Sequence, residues 1–205
     1  MRWWRISRRS MSGQPKKHAV MIGGPNGAGK TSWAYHQLPA TLSIREFVNA
    51  DEIARGLSPL DPEASALSAG RLMIARLNEL VEEEHSFAFE TTCSGRGHVR
   101  LLQKCRAKGY LISVIFLWLP SAQTAIERVA RRVKQGGHRI PDDVIIRRYS
   151  AGLRNMRDIY LPLADEAFIY DNSDGSGVLI AERRETTHLI VHDRERWNRV
   201  LEVAE

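Results

Sequence analysis

The string Gly24-Pro25-Asn26-Gly27-Ala28-Gly29-Lys30-Thr31 constrains this chain more than any other feature. It satisfies G-x-x-x-x-G-K-[ST], directly after the apolar run Ala19–Ile22 and before a helical stretch. In that context glycines let the backbone curl so that successive N–H groups point at phosphate oxygens. The helix that follows adds the positive end of its dipole. The nucleotide-binding set expected from this pattern is Gly24, Pro25, Asn26, Gly27, Ala28, Gly29, Lys30, Thr31 and Ser32. Lys30 would bridge the β and γ phosphates, and the Thr31 hydroxyl would hold magnesium. ATP and Mg²⁺ are therefore the expected cofactors, against the bland alternative of a glycine-rich turn with no ligand.

From His18 onward short apolar runs alternate with longer periodic ones, the pattern of an α/β protein with a mainly parallel central sheet flanked by helices. With the phosphate loop, this predicts a P-loop NTPase of the three-layer, nucleotide-kinase-like kind. Candidate strands are Ala19–Ile22, Glu46–Asn49, Ser86–Phe89, Leu111–Leu119 and Ala167–Tyr170. Most are continuously apolar, as strands covered on both faces should be. Asp61 as a cap, Pro62 at the first helical position and Glu63 behind it predict a helix running to about Glu84. Leu67, Gly70, Ile74, Leu77 and Val81 would form its core face. A second helix starts near Pro141–Asp142 with Ile145, Tyr149, Leu153, Met156 and Tyr160 on one stripe. After the turn formers of residues 171–177, Val178–Glu182 and Thr187–Val191 read as paired strands and Arg194–Ala204 as a closing helix, a C-terminal appendage over 178–205.

At 205 residues the chain is the length of one domain, taken as residues 18–205. The net charge of +6 suggests an acidic partner until its position is considered. Residues 1–17 hold six bases and no acid, which accounts for the whole excess of 30 Lys and Arg over 24 Asp and Glu. The body is electrically balanced, so nucleic acid is not an expected partner of it. The basic segment 1–17 reads as a disordered tail, with a tether to nucleic acid or acidic lipid as its functional alternative. The run Leu111–Pro120 falls short of the roughly 18 residues a membrane span needs. Cys93 and Cys105 match no disulfide framework or zinc spacing, as for reduced thiols in a cytoplasmic protein.

What receives the phosphate must come from the rest of the chain. An ABC-type ATPase needs an LSGGQ-like string and a strand ending in Asp-Glu, whereas Leu111–Leu119 ends in Pro120-Ser121. A GTPase needs N-K-x-D, which is absent. A small-molecule kinase remains. Ligands of open α/β sheets gather at the carboxyl ends of strands, and two strands deliver a carboxylate there: Asp51 after Phe47–Val48, and Glu90, with Thr91 and Thr92, after Phe87–Phe89. Asp51 is the candidate base for an acceptor hydroxyl; its bland alternative is a cap for the helix beginning near Glu52. Glu90 would bind substrate or join Thr31 around magnesium through water, or else pair with an arginine such as Arg96. Residues 128–148 carry Arg128, Arg131 and Arg132 at helical spacing, then Gly136-Gly137 and His138-Arg139, the makings of an arginine-bearing lid. The alternative is a solvated helix face paired with Asp142 and Asp143.

Taken in order, GPNGAGKT, FVNADEIARGLSP, FAFETTCSGRGH, GGHRIPDD and IYDNS resemble the zeta-toxin-like P-loop kinases from about Ala19 to Ser173. The resemblance implies phosphorylation of a sugar hydroxyl of UDP-N-acetylglucosamine with ATP and Mg²⁺, and an antitoxin protein as a partner. It implies Lys30, Asp51, Arg128 and Arg139 as catalytic residues, with Arg131 or Arg132 as substitutes for Arg128, and Arg55, Glu90, Thr91 and Thr92 facing the nucleotide sugar. The larger toxins carry sugar-binding insertions that this sequence lacks, which bears on the acceptor more than on the reaction. Two other readings stand beside it: an ATP-binding regulatory module without kinase activity, and a nucleic-acid end kinase guided by the basic tail.

Overall fold

A computed structural model of the chain describes residues 17–42, 44–137, 139–184 and 188–202. The basic-tail reading for residues 1–16, His138, the first residue of the predicted strand at Thr187 and the end of the last helix at Ala204 lie outside the described residues. A seven-stranded sheet organises the rest, in the order β2-β3-β1-β4-β5-β6-β7. β1 (His18–Gly23), β2 (Glu46–Val48), β3 (Phe87–Thr91), β4 (Leu111–Trp118) and β5 (Glu166–Asp171) are parallel, whereas β6 (Val178–Arg183) and β7 (Ile190–Val191) are antiparallel. β1 and β5 are buried along their whole lengths, which explains the apolar runs Ala19–Ile22 and Ala167–Tyr170 within them. The C-terminal hairpin pairs with β5 and so continues the central sheet.

The helices are α1 (Lys30–Gln37), α2 (Ala50–Leu57), α3 (Ala66–Glu82), α4 (Val99–Ala107), α5 (Ala122–Lys134), α6 (Asp142–Asn155), the short α7 (Leu161–Leu163) and α8 (Arg194–Glu202). The predicted stripe on α6 is buried at Ile145, Tyr149 and Leu153 and continues through a π-helical turn that buries Met156 and Tyr160. The start of α3 differs from expectation. Asp61 Oδ1 accepts from the Ala64 amide at 3.2 Å, but what it caps is a turn, and the helix begins only at Ala66. Its core face is consequently Ala69, Met73, Leu77, Leu80 and Val81, with Leu67 71% exposed.

Register fixes where the chemistry can sit. Ile22 lies opposite Glu90 and Gly23 opposite Thr91 across the β1–β3 pair, while Val48 lies opposite Phe89 across β2–β3. The segments leaving β1, β2 and β3 therefore emerge side by side along one edge of the sheet. β1 is also where the chain's order reverses, with β3 on one side and β4 on the other, the position where open α/β sheets form their ligand crevice.

Candidate active site

The loop from Gly24 to Gly29 leaves β1 and returns directly into α1. Its glycines answer real crowding. Gly24 has φ +144°, and a Cβ there would stand 2.4 Å from the Leu117 carbonyl oxygen on β4. Gly27 has φ +76°, and its Cβ would stand 2.9 Å from Arg128 Cβ on α5. The loop is thus clamped between β4 and α5, in a backbone shape that side chains at these positions would spoil. The Ala28 amide donates to the Pro25 carbonyl at 3.2 Å. Asn26 is 7% exposed, and its Oδ1 has no hydrogen-bond partner among the described residues.

Lys30 opens α1 as a buried cation. Its Nζ donates to the Pro25 carbonyl at 2.9 Å and stands 3.5 Å from Glu90 Oε1. The other carboxylate oxygen, Glu90 Oε2, accepts from Thr31 Oγ1 at 2.6 Å and from Asn49 Nδ2 at 3.0 Å. Glu90 therefore pairs with Lys30 rather than with Arg96. Lys30, Thr31, Glu90 and Asn49 form one polar cluster drawn from α1, β3 and the end of β2. Among the described residues no group of three His, Cys, Asp or Glu side chains stands ready to hold a metal unaided. A hydroxyl and one carboxylate in contact suit a hard divalent ion whose remaining ligands are water and phosphate, which is how magnesium is commonly bound.

Asn49 stands directly before a first turn that carries Asp51 and Glu52, a local cap signal that the alternative reading gives to Asp51. Its Oδ1 accepts from the Asp51 amide at 2.8 Å, making it the cap of α2, while its Nδ2 reaches Glu90. Asp51 is consequently in the first turn of α2 and is not its cap. Its exposed side chain borders a cavity of about 250 Å³ between α2, the segment before α3, and the start of α6. Asn172, in the IYDNS string, has no contact assigned to it from sequence: its Nδ2 donates to the Ala28 carbonyl at 2.7 Å, tying the end of β5 to the loop.

The arginine segment divides. Arg128 donates to the Gly27 carbonyl at 3.3 Å and to the Ser173 carbonyl at 2.6 Å, so it backs the loop. Arg139 lines the cavity that Asp51 borders. Arg131 is exposed, and no ion pair joins Arg128, Arg131 or Arg132 to Asp142 or Asp143 among the described residues. Arg55 turns to Glu52 at 3.1 Å and is not part of the cavity wall. The Thr91 hydroxyl accepts from the Cys93 amide at 3.1 Å, and the Thr92 hydroxyl meets Ser94 Oγ at 2.8 Å. Ser32 is exposed on α1, one turn beyond the loop. Cys93, behind the loop, is fully buried, and that burial pushes its thiol up to about 12.

Comparison with known proteins places this geometry in a wider group. The model of a family described as "AAA domain" matches residues 20–154. An uncharacterized protein of Haemophilus influenzae is 25% identical over 131 residues, 64% of this chain and 91% of its own. Among solved structures, AvrRxo1-ORF1 in complex with AvrRxo1-ORF2 and sulphate ions superposes with a TM-score of 0.71 at 15% identity, over 92% of this chain and 65% of the other. The same complex solved with ATP gives 0.70 at 17% identity, over 90% and 63%. The PezAT chromosomal toxin–antitoxin system of Streptococcus pneumoniae gives 0.65 at 15% identity, over 85% and 75%. This chain thus spans just under two thirds of the AvrRxo1 chains that it matches. At these identities the likeness is one of fold: a mostly parallel seven-stranded sheet of the P-loop NTPase kind, flanked by helices.

Proposed function

Because the chain belongs to the AAA domain family of P-loop proteins, with a family match across residues 20–154, we propose that it is an ATP-dependent phosphotransferase acting on a hydroxyl of a small molecule. The observation that carries this reading is the contact of Thr31 Oγ1 with Glu90 Oε2 at 2.6 Å beside the buried Lys30, joined through Asn49 to the segment whose Asp51 lines a cavity. A nucleotide-binding switch needs the first half of that arrangement. A carboxylate at the edge of a separate cavity is what a transferase adds.

In this mechanism the loop amides and Lys30 hold the triphosphate, and Thr31 with Glu90 would hold Mg²⁺. When bound, the ion neutralises charge on the phosphate oxygens during transfer. The acceptor oxygen forms its bond to the γ-phosphorus as the bond from that phosphorus to the β,γ-bridging oxygen breaks. The acceptor's proton passes to Asp51, and ADP leaves. Arg128 steadies the loop through the Gly27 carbonyl. Arg139, on the cavity wall, is the arginine to meet charge on the moving phosphoryl group. The resemblance to zeta-toxin-like kinases makes a nucleotide sugar such as UDP-N-acetylglucosamine the first acceptor to try. The AvrRxo1 chain was solved with a partner chain and PezAT is a toxin–antitoxin system, which supports an antitoxin-like partner here.

The test is transfer of label from γ-labelled ATP to a metabolite extract. Asp51→Asn is expected to lower turnover by roughly 10²–10⁴-fold while leaving ATP affinity unchanged. Unaltered transfer by that variant would remove Asp51 from the mechanism, and nucleotide binding without any phosphorylated product would leave only a switch.

A further inference from the structure

The cavity beside Asp51 carries more positive charge than phosphoryl transfer explains. Arg139, Arg147 and Arg148 all line it, against the carboxylates of Asp51 and Glu63. Several arginines elsewhere in the chain close on carboxylates: Arg55 on Glu52, Arg76 on Glu46, Arg106 on Asp165, Arg196 on Asp171. Among the described residues no carboxylate lies within ion-pair distance of the three cavity arginines. The exception is pointed at Arg147, which has Asp143 four residues earlier on the same helix, the spacing at which such pairs ordinarily form. Arg139 and Arg147 are exposed where they line the cavity, and Arg148 is half-buried. Pro141, which precedes α6 without a side-chain cap, and Val144 line the same space.

From this the geometry points to Arg147 and Arg148 as specificity-determining residues that bind an oxyanion of the acceptor. This rests on the phosphotransferase reading and deepens it. The acceptor is an alcohol that already bears an acidic group, a phosphate or a carboxylate, held by the α6 arginines so that its hydroxyl faces Asp51 across the cavity. Guanidinium forks match such groups through two parallel hydrogen bonds, which fix orientation as well as affinity. A neutral sugar or polyol fills the same space but leaves both forks without partners. The oxyanion can come from a compact phosphorylated or carboxylated alcohol, or from the diphosphate of a nucleotide sugar, and the experiment separates these sources.

A metabolite extract is divided by anion exchange at neutral pH into flow-through and retained fractions, and each is offered with γ-labelled ATP. Label is expected only from the retained fraction. Transfer from the flow-through alone overturns the inference, and transfer from neither overturns the kinase reading on which it rests. Glucose, gluconate, glucose 6-phosphate and UDP-N-acetylglucosamine are then compared as competitors of the labelled reaction. Competition by the two compact anions identifies a compact acceptor, competition by UDP-N-acetylglucosamine a nucleotide sugar, and competition by glucose at equal concentration counts against an oxyanion site. For the acceptor recovered from the retained fraction, Arg147→Gln with Arg148→Gln is expected to raise KM roughly 10- to 100-fold, with KM for ATP unchanged. Arg147→Lys with Arg148→Lys restores part of the loss, since charge survives without the fork. Equal rises in both KM values, or no rise for the acceptor, assign these arginines to the solvated surface.

Discussion

Lys30 is held by two oxygens of the chain itself, the Pro25 carbonyl and Glu90. That pre-positions its ammonium, so a triphosphate meets a cation whose ordering cost is largely met. Lys30→Ala deletes this charge and leaves the Glu90 carboxylate with only neutral donors. ATP affinity measured by calorimetry in the presence of magnesium is expected to fall by at least about tenfold. Lys30→Arg is not expected to restore it, because a planar fork does not fit a slot built for a compact ammonium. The two thiols make a second expectation at this scale. Burial pushes both Cys93 and Cys105 up to about 12, so neither is a thiolate at ordinary pH. Iodoacetamide at pH 8 should leave the native chain unmodified and alkylate both positions once it is unfolded in urea, as mass spectrometry would read.

At the scale of elements, Asn49 does two jobs with one amide, capping α2 and orienting Glu90. Substitutions can separate them. Serine preserves a cap acceptor but cannot reach Glu90, so Asn49→Ser should keep its thermal midpoint near the parent and lose turnover. Asn49→Ala loses both, at a cost of about 1 kcal/mol in chemical denaturation. The clamp on the phosphate loop is equally testable. Gly24→Ala puts a methyl 2.4 Å from the Leu117 carbonyl oxygen at a φ of +144°, so β4 and the loop must part. A destabilisation of about 1–3 kcal/mol accompanied by lost ATP binding is the expected result. At the start of α3, Asp61 and Pro62 form a turn and the helix begins only at Ala66, so Leu67 stays outside the core that the apolar spacing predicts for it.

The whole molecule should be sensitive to acid through His98. Its ring lies tilted against Phe89 with centroids 4.8 Å apart, its Nδ1 is buried with no partner among the described residues, and burial pushes its pKa down to about 4. An unfolded chain takes up this proton below pH 6.5, whereas the folded one does so only near pH 4. Stability is therefore fully present above pH 6.5 and declines as pH falls toward 4, by at most about 3 kcal/mol. Urea denaturation at pH 7 and pH 5 should show the loss, and His98→Gln should flatten it. The sequence by itself determined the phosphate loop, the five parallel strands to within a residue or two and the buried stripe of α6. Each of these is encoded in local backbone conformation or in the period of the apolar residues, and neither needs a distant partner. Only the tertiary structure decided that Glu90 would face Lys30 and Thr31, that Asn49 and Asn172 would brace the loop, and that Arg128 would part company with Arg139. Those contacts join residues far apart in the chain, and they exist because strand order and register bring separate segments to one edge of the sheet. That is a property of the assembled backbone, which no window of neighbouring residues contains.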